Sequence, residues 1–136
     1  MPTTDLIATR EAIVAAHVAA ENAHDIDSVM ATFARPRYEI VPTGAVHDGE
    51  DAVRAMLEEQ WRQLPGLRFE AVGLYHGEAG LMVETRTIGA GPNGRAVDLS
   101  SVNLFAFEEA DLVLERCWFD RMLIAEALGY APQAGS

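Results

Sequence analysis

Residues 112–129 read LVLERCWFDRMLIAEALG, and how this stretch divides decides the fold. Within its first half, Val113 to Phe119 reads as an apolar strand. Its second half, from Arg121, carries apolar residues at helical spacing and stops at Gly129, where a helix is expected to end. Asp120 stands at the junction. It is either the N-cap of the short helix or the polar group of a pocket. Alternation puts Leu114, Arg116, Trp118 and Asp120 on one strand face. On that reading Asp120 shares a face with an indole, which would desolvate the carboxyl and raise its pKa into a range useful for proton transfer.

Working back from this stretch, the chain is strand-rich. Residues 95–108 form a long strand, turned by Glu108–Asp111, and "GPNG" at 91–94 is a strong turn signal. Residues 67–77 and 81–89 are strands joined through Glu78-Ala79-Gly80. Before them the period changes to 3.6. Val53, Met56, Leu57, Gln60, Trp61 and Leu64 lie on one helical face, started by Asp48 and ended by Pro65-Gly66. "RYEIVP" and "AVHDG" form a hairpin around Thr43-Gly44. At the N-terminus, Thr4 caps a helix over 5–23. Asp25 or Asp27 caps a second, carrying Ile26, Val29, Met30 and Phe33 and stopped by Pro36.

Helices, a hairpin, a helix and then a four-strand meander describe an α+β domain. The expected architecture is a curved, mostly antiparallel sheet wrapped as a cone around the N-terminal helices, with an apolar pocket at its open end. The whole of 1–136 is read as one domain, with 129–136 as a frayed tail. The long strand is apolar on both parities: Val97, Leu99, Phe105 and Phe107 on one, Val102, Leu104 and Ala106 on the other. A sheet covered by helices on one face then needs a cover on the other, and a homodimer through that open face is expected.

Composition narrows the partners. The chain has 136 residues, 49% of them hydrophobic, and 21 acidic residues against 10 basic ones, for a net charge of −11. Such a balance disfavours nucleic acid and anionic membrane surfaces. The N-terminus shows neither a basic leader nor an unbroken apolar stretch, so a cytoplasmic protein is expected. All basic residues are Arg, in keeping with a GC-rich, bacterial genome. Cys117 has no second cysteine to pair with. There is no Gly-rich phosphate loop, no nucleophile motif and no His or Cys spacing suited to a metal, so no cofactor and no metal are expected.

Several segments carry a family resemblance: "HDIDSVMATF", "YEIVPTG", "DGEDAVRAMLEEQWRQLPGLRFE", "LMVE" and "LVLERCWFDRMLIAEALG". Together they resemble the SnoaL-like polyketide cyclases of the nuclear transport factor 2-like superfamily, whose fold is cystatin-like. Asp120 looks like the match of an Asp implicated there in acid–base chemistry. One departure is plain: where many relatives carry a Gly-Thr-His loop, this chain reads "TIGAGPNGR", with Gly89 but no following His.

The resemblance implies a cofactor-independent cyclase or isomerase that moves a proton on a small hydrophobic carbonyl compound. A non-catalytic small-molecule-binding module of the same fold is the alternative. Catalytic candidates are Asp120, Arg116 and His47, the last placed to reach the cone mouth. Arg116 either pairs with Glu84 across the sheet or meets a ligand oxygen. Tyr38, Trp61 and Trp118 are candidate lining aromatics. His17 lies on the apolar stripe of the first helix, as a satisfied core or pocket-lining histidine. Asn103 and Glu84 are polar groups within strands, which either reach the pocket or bond to neighbours.

Overall fold

A computed structural model describes residues 1–129; the tail expected at 129–136 therefore lies outside the described residues except for Gly129. The chain runs α1 (Thr4–Asn22), α2 (Ile26–Thr32), β1 (Arg37–Ile40), β2 (Ala45–Asp48), α3 (Glu50–Gln63), β3 (Arg68–Gly77), β4 (Gly80–Ala90), β5 (Ala96–Glu108), β6 (Asp111–Trp118) and α4 (Arg121–Ala127). The strands form one six-stranded sheet in the order β2-β1-β6-β5-β4-β3. Strands β3 to β6 are the expected antiparallel meander. β1 pairs with β6 in parallel, and an isolated parallel bridge joins Phe33 to Leu112 of β6, so the sheet is mixed. The sheet does not close, and β2 and β3 are its edges. The α+β class and the helices gathered on one sheet face agree with the sequence reading.

Local chemistry sets the boundaries. The Thr3 hydroxyl, one residue before the expected cap, accepts from Leu6 N–H to start α1. The Asp25 carboxylate accepts from Ser28 N–H and starts α2. For α3 the cap position falls to Gly49 at φ 92°, with no side-chain bond, so the expected Asp48 cap does not form. Asp48 instead ends β2 and pairs with Arg37.

The buried face of α1 is Arg10, Val14, His17, Ala20 and Glu21, a stripe at helical spacing that is more than half polar. The apolar core gathers Val29, Val53, Leu57, Leu81, Phe105 and Leu112 between α1 to α3 and the inner face of the sheet. A second, smaller cluster seals one end, with Leu64, Leu67, Val97 and Leu99 under Ala127 of α4. Arg10 is 3% exposed, and among the described residues its partners are backbone carbonyls rather than a carboxylate. Its guanidinium donates to the carbonyls of Glu109, Gly77 and Glu78, tying α1 to the turns at both β3–β4 and β5–β6. It also lies over the Phe107 ring at 5.3 Å.

A bulge decides which face of β6 is inward. Ala106 pairs with Leu114 but Phe107 pairs with Leu112, so Val113 is an extra residue. Leu112 packs in the core, and beyond the bulge Cys117 packs there too, with Glu115 beside it on the same parity. Arg116 and Trp118 consequently face out.

Candidate active site

The inner sheet face, α1, α3 and α4 enclose a cavity of about 340 Å³. Its walls are largely apolar: Met56 and Leu64 from the α3 side, Phe69 and Leu99 from the sheet, Phe119 and Ile124 from the chain end. Toward solvent it passes Thr43, His47, Glu59 and Gln63. At its deep end stand Glu21, Tyr38, Glu115 and Cys117.

These deep groups form one network around His17, which is 0% exposed. The Thr32 hydroxyl donates to the Val29 carbonyl at 2.7 Å, so its oxygen accepts from His17 Nδ1–H at 2.8 Å. Nδ1 therefore carries a proton, and Nε2 faces the acids. Nε2 lies 2.8 Å from Glu115 Oε1 and 2.5 Å from Glu21 Oε1. The Tyr38 hydroxyl, 3.0 Å from Nε2, donates to Glu21 Oε1 at 3.1 Å. Cys117 Sγ donates to Glu115 Oε2 at 3.1 Å.

Burial and charge act on each group in turn. Burial disfavours the imidazolium, but the Glu21 and Glu115 carboxylates outweigh it and raise His17 from 6.5 to about 10. Burial likewise opposes ionisation of Glu21, and the His17 charge overcomes it, holding Glu21 below the ordinary carboxylate range. Glu115 is different. Burial and the neighbouring Glu21 charge lift it from 4.5 to about 7, against the pull of His17. Burial pushes the Tyr38 hydroxyl and the Cys117 thiol well up, so both stay protonated. At neutral pH the network holds one imidazolium, one firm carboxylate and one carboxyl that exchanges its proton.

Atoms of His17, Glu21 and Glu115 lie within 4.8 Å of one another, close enough for a cation to draw them together. The direct Nε2 to carboxylate contacts of 2.5 and 2.8 Å are hydrogen-bonded ion pairs, and an ion between them would have to open both. Among the described residues, the geometry is that of a proton network.

The cavity gathers part of the sequence-derived set. Tyr38, His47 and Asn103 line it, and His17 sits directly behind its acids. Asn103 Nδ2 donates to Thr85 Oγ1 at 3.2 Å, and Thr85, Thr87 and Ser101 share its wall.

The other candidates stand elsewhere. Asp120 is exposed and outside the cavity; its carboxylate accepts from Met122 N–H at 2.9 Å as the cap of α4. The expectation of an inward acid is corrected by one residue of parity: Glu115, Cys117 and Phe119 face in, so Asp120 does not. Arg116, the second catalytic candidate, lies on the outer face. It donates to Glu39 Oε1 at 2.7 Å because Glu39 is its register partner on the adjacent β1. The expected Arg116–Glu84 pair does not form, since β5 runs between the two strands. Glu84 and Trp118 flank Val102 on that same outer face. Trp118 lies under the Arg116 guanidinium at 5.9 Å. Trp61 turns away from the cavity and stacks on His24 at 4.8 Å, because the cavity side of α3 is taken by Met56, Gln60 and Gln63.

Glu21 and Glu115 are the site residues that sequence reasoning passed over. A signal for Glu21 was present: His17 and Glu21 are i and i+4 on a buried helical face, where a charge needs a partner. Glu115 shares parity with Cys117 and Phe119, but nothing local marks which strand face is inward.

The comparisons agree with this geometry at the level of fold. A putative SnoaL-like polyketide cyclase from Jannaschia sp. CCS1 superposes with a TM-score of 0.83 at 17% identity, covering 97% of this chain and 99% of that one. An NTF2-like protein of unknown function from Burkholderia pseudomallei gives 0.80 at 20% identity, over 88% and 97%. A hypothetical protein with a ketosteroid isomerase-like fold from Catenulispora acidiphila, solved in complex with trimethylamine, gives 0.78 at 13% identity, over 88% and 93%. No curated protein sequence matches this chain significantly. The profile of the SnoaL-like domain matches residues 14–115, from the α1 stripe to the cavity carboxyl of β6, and the chain belongs to the SnoaL-like domain family.

Proposed function

We propose that this protein is a cofactor-independent enzyme of the cyclase or isomerase type, moving a proton on a small hydrophobic carbonyl compound held in the cavity. The observation that carries the reading is Glu115: a carboxyl at the deep end of an apolar cavity, lifted to about 7 by burial and by Glu21. A group titrating near ambient pH is suited both to take a proton and to return it. As carboxylate, Glu115 removes a proton from the carbon next to the ligand carbonyl, and the bonding pair moves to the carbonyl oxygen as an enolate. As carboxylic acid, it delivers that proton to oxygen or to another carbon. His17 does not line the cavity. It is a positioning residue that holds Glu115 and offsets the charge of Glu21. Tyr38 lines the deep end, and its hydroxyl donates to Glu21 within the same network.

The test uses a cyclic ketone probe, 2-tetralone, in D₂O with NMR detection of hydrogen exchange next to the carbonyl. The protein accelerates exchange above buffer, with a rate that rises through about pH 7. Glu115→Gln removes the acceleration. Exchange unchanged in that variant overturns the proposal.

One observation favours the alternative of a binding module without chemistry. Both Glu115 oxygens already have partners, Oε1 in His17 and Oε2 in Cys117. Ligand retention without exchange is the outcome that selects it.

We also propose a homodimer through the outer face of the sheet. The support is apolar surface there: Val102, Leu104 and Trp118 are only half-buried within one chain, and Tyr75 on β3 is 63% exposed.

A further inference from the structure

The cavity's charge inventory is uneven. Two carboxylates, Glu21 and Glu115, reach its deep end, and Glu59 stands toward solvent. Against them stands one buried cation, His17, behind the acids. Among the described residues no Arg lines the cavity, and the chain contains no Lys. When Glu115 ionises, the buried group carries one negative charge without a counter-charge. In a low-dielectric site that vacancy is costly, and it is filled either by a proton or by a cation.

The neutral polar groups of the cavity point the same way. Asn103 gives one Nδ2 hydrogen to Thr85, and its Oδ1 is available as an acceptor alongside the second N–H. Thr87 is 3% and Ser101 9% exposed, both line the cavity, and neither hydroxyl bonds within the described chain. Phe105, the register partner of Glu115, adds an aromatic ring beside the acid. Oxygens able to accept, an aromatic ring and a carboxylate charge in excess of the buried positive charge suit an N–H-bearing cation, which Glu115 receives on the second lone pairs of oxygens already bonded to His17 and Cys117. An anionic ligand would instead meet two carboxylates at the deep end, with His47 the basic side chain of the lining, out toward solvent beside Glu59. A metal ion fits less well, because the His17 to carboxylate contacts are already closed, so the extra positive charge has to arrive from the cavity side.

We infer that the ligand of this cavity is a hydrophobic amine, whose ammonium group sits against Glu115 and whose apolar body fills the space between α3 and the inner sheet face. This deepens the proposed function, and rests on it in one respect: the cavity must be the ligand site. The ammonium replaces the Glu115 proton, so the substrate brings its own counter-charge and Glu115 remains ionised as a base beside it. A carbonyl compound bearing a basic nitrogen meets both requirements.

Isothermal titration of the full chain at about pH 8 with three naphthyl probes tests this. The probes are 1-naphthylmethylamine, 1-naphthalenemethanol and 1-naphthoic acid, which differ in charge and little in shape. Physiological salt limits the diffuse pull of the protein's net charge. The amine is expected to bind at least about tenfold tighter than the alcohol, and the acid more weakly than either. Glu115→Gln brings the amine to within about twofold of the alcohol and leaves the alcohol unchanged. Equal binding of amine and alcohol, or an amine preference that survives in the Gln variant, overturns the inference and leaves the proton-transfer reading standing. Failure of all three probes overturns the cavity as ligand site, and both readings with it. Glu115-dependent binding of Zn²⁺ alone, with no preference for the amine, overturns it in favour of a metal site.

Discussion

His17 Nε2 lies 2.8 Å from Glu115 Oε1, joining the first helix to the last strand across 98 residues of chain. With Glu21 one turn along α1, this contact sets the charge of the whole cavity floor. It also couples stability to pH.

His17 holds a proton in the folded state up to about pH 10, against 6.5 for an ordinary histidine. The folded protein thus binds a proton that the unfolded chain releases between those values. That stabilisation is fully present below pH 6.5 and is lost as pH rises through 10. Glu115 acts in the same direction lower down, its contribution fading as pH rises from 4.5 through 7. Glu21 runs the other way, and its contribution is lost as pH falls through its depressed value. The unfolding free energy from urea titration should therefore fall between pH 6 and pH 10, by on the order of a few kcal/mol. His17→Gln should flatten the upper part of that fall; an equally steep profile in the variant would contradict the assignment.

Glu115 and Asp120 separate chemistry from capping. Asp120→Ala loses the bond to Met122 N–H and should cost about 1 kcal/mol, with proton exchange on the ketone probe unchanged. Glu115→Gln should do the reverse. It leaves His17 and Glu21 as a neutral pair, so the fold survives while exchange is lost. Thermal melts and NMR exchange on both variants decide the matter.

Arg10 is a test of a buried charge held by backbone carbonyls. Arg10→Met keeps much of the side-chain volume but leaves the Gly77, Glu78 and Glu109 carbonyls without their donor. Chemical denaturation should show a loss of about 2–4 kcal/mol. Amide exchange should rise first at the β3–β4 and β5–β6 turns.

Gly91 marks a close approach between the β4–β5 turn and α4. A Cβ there would come 1.9 Å from the Ala127 carbonyl oxygen. Gly91→Ala should push α4 outward and open the end of the cavity lined by Ile124 and Leu128. The expected outcome is weaker binding of the naphthyl amine with a smaller change in melting temperature, read by titration and calorimetry.

The outer face is testable by mass. Leu104 lies there between Met82 and Arg116 in the register. Leu104→Glu should convert a dimer to a folded monomer by light scattering at micromolar concentration, with circular dichroism unchanged. A wild-type monomer under those conditions rules out the homodimer.

The amino-acid sequence by itself determined the α+β class, the order of elements and the short helix after Asp120. Those features are local: periodicity, caps and turn residues act within a few positions of one another. Three of the cavity-lining residues were local candidates too: Asn103 as a polar group in an apolar strand, His47 as the histidine before the third helix, and Tyr38 as a strand aromatic. The tertiary structure alone decided which acid is inside. The extra residue Val113 reverses the facing of β6, and the parallel pairing with β1 gives Arg116 its partner in Glu39. Alternation along a strand says which residues share a face, but only packing against the helices says which face is dry. For that reason Glu115 holds the site while Asp120, five residues on, caps a helix in water.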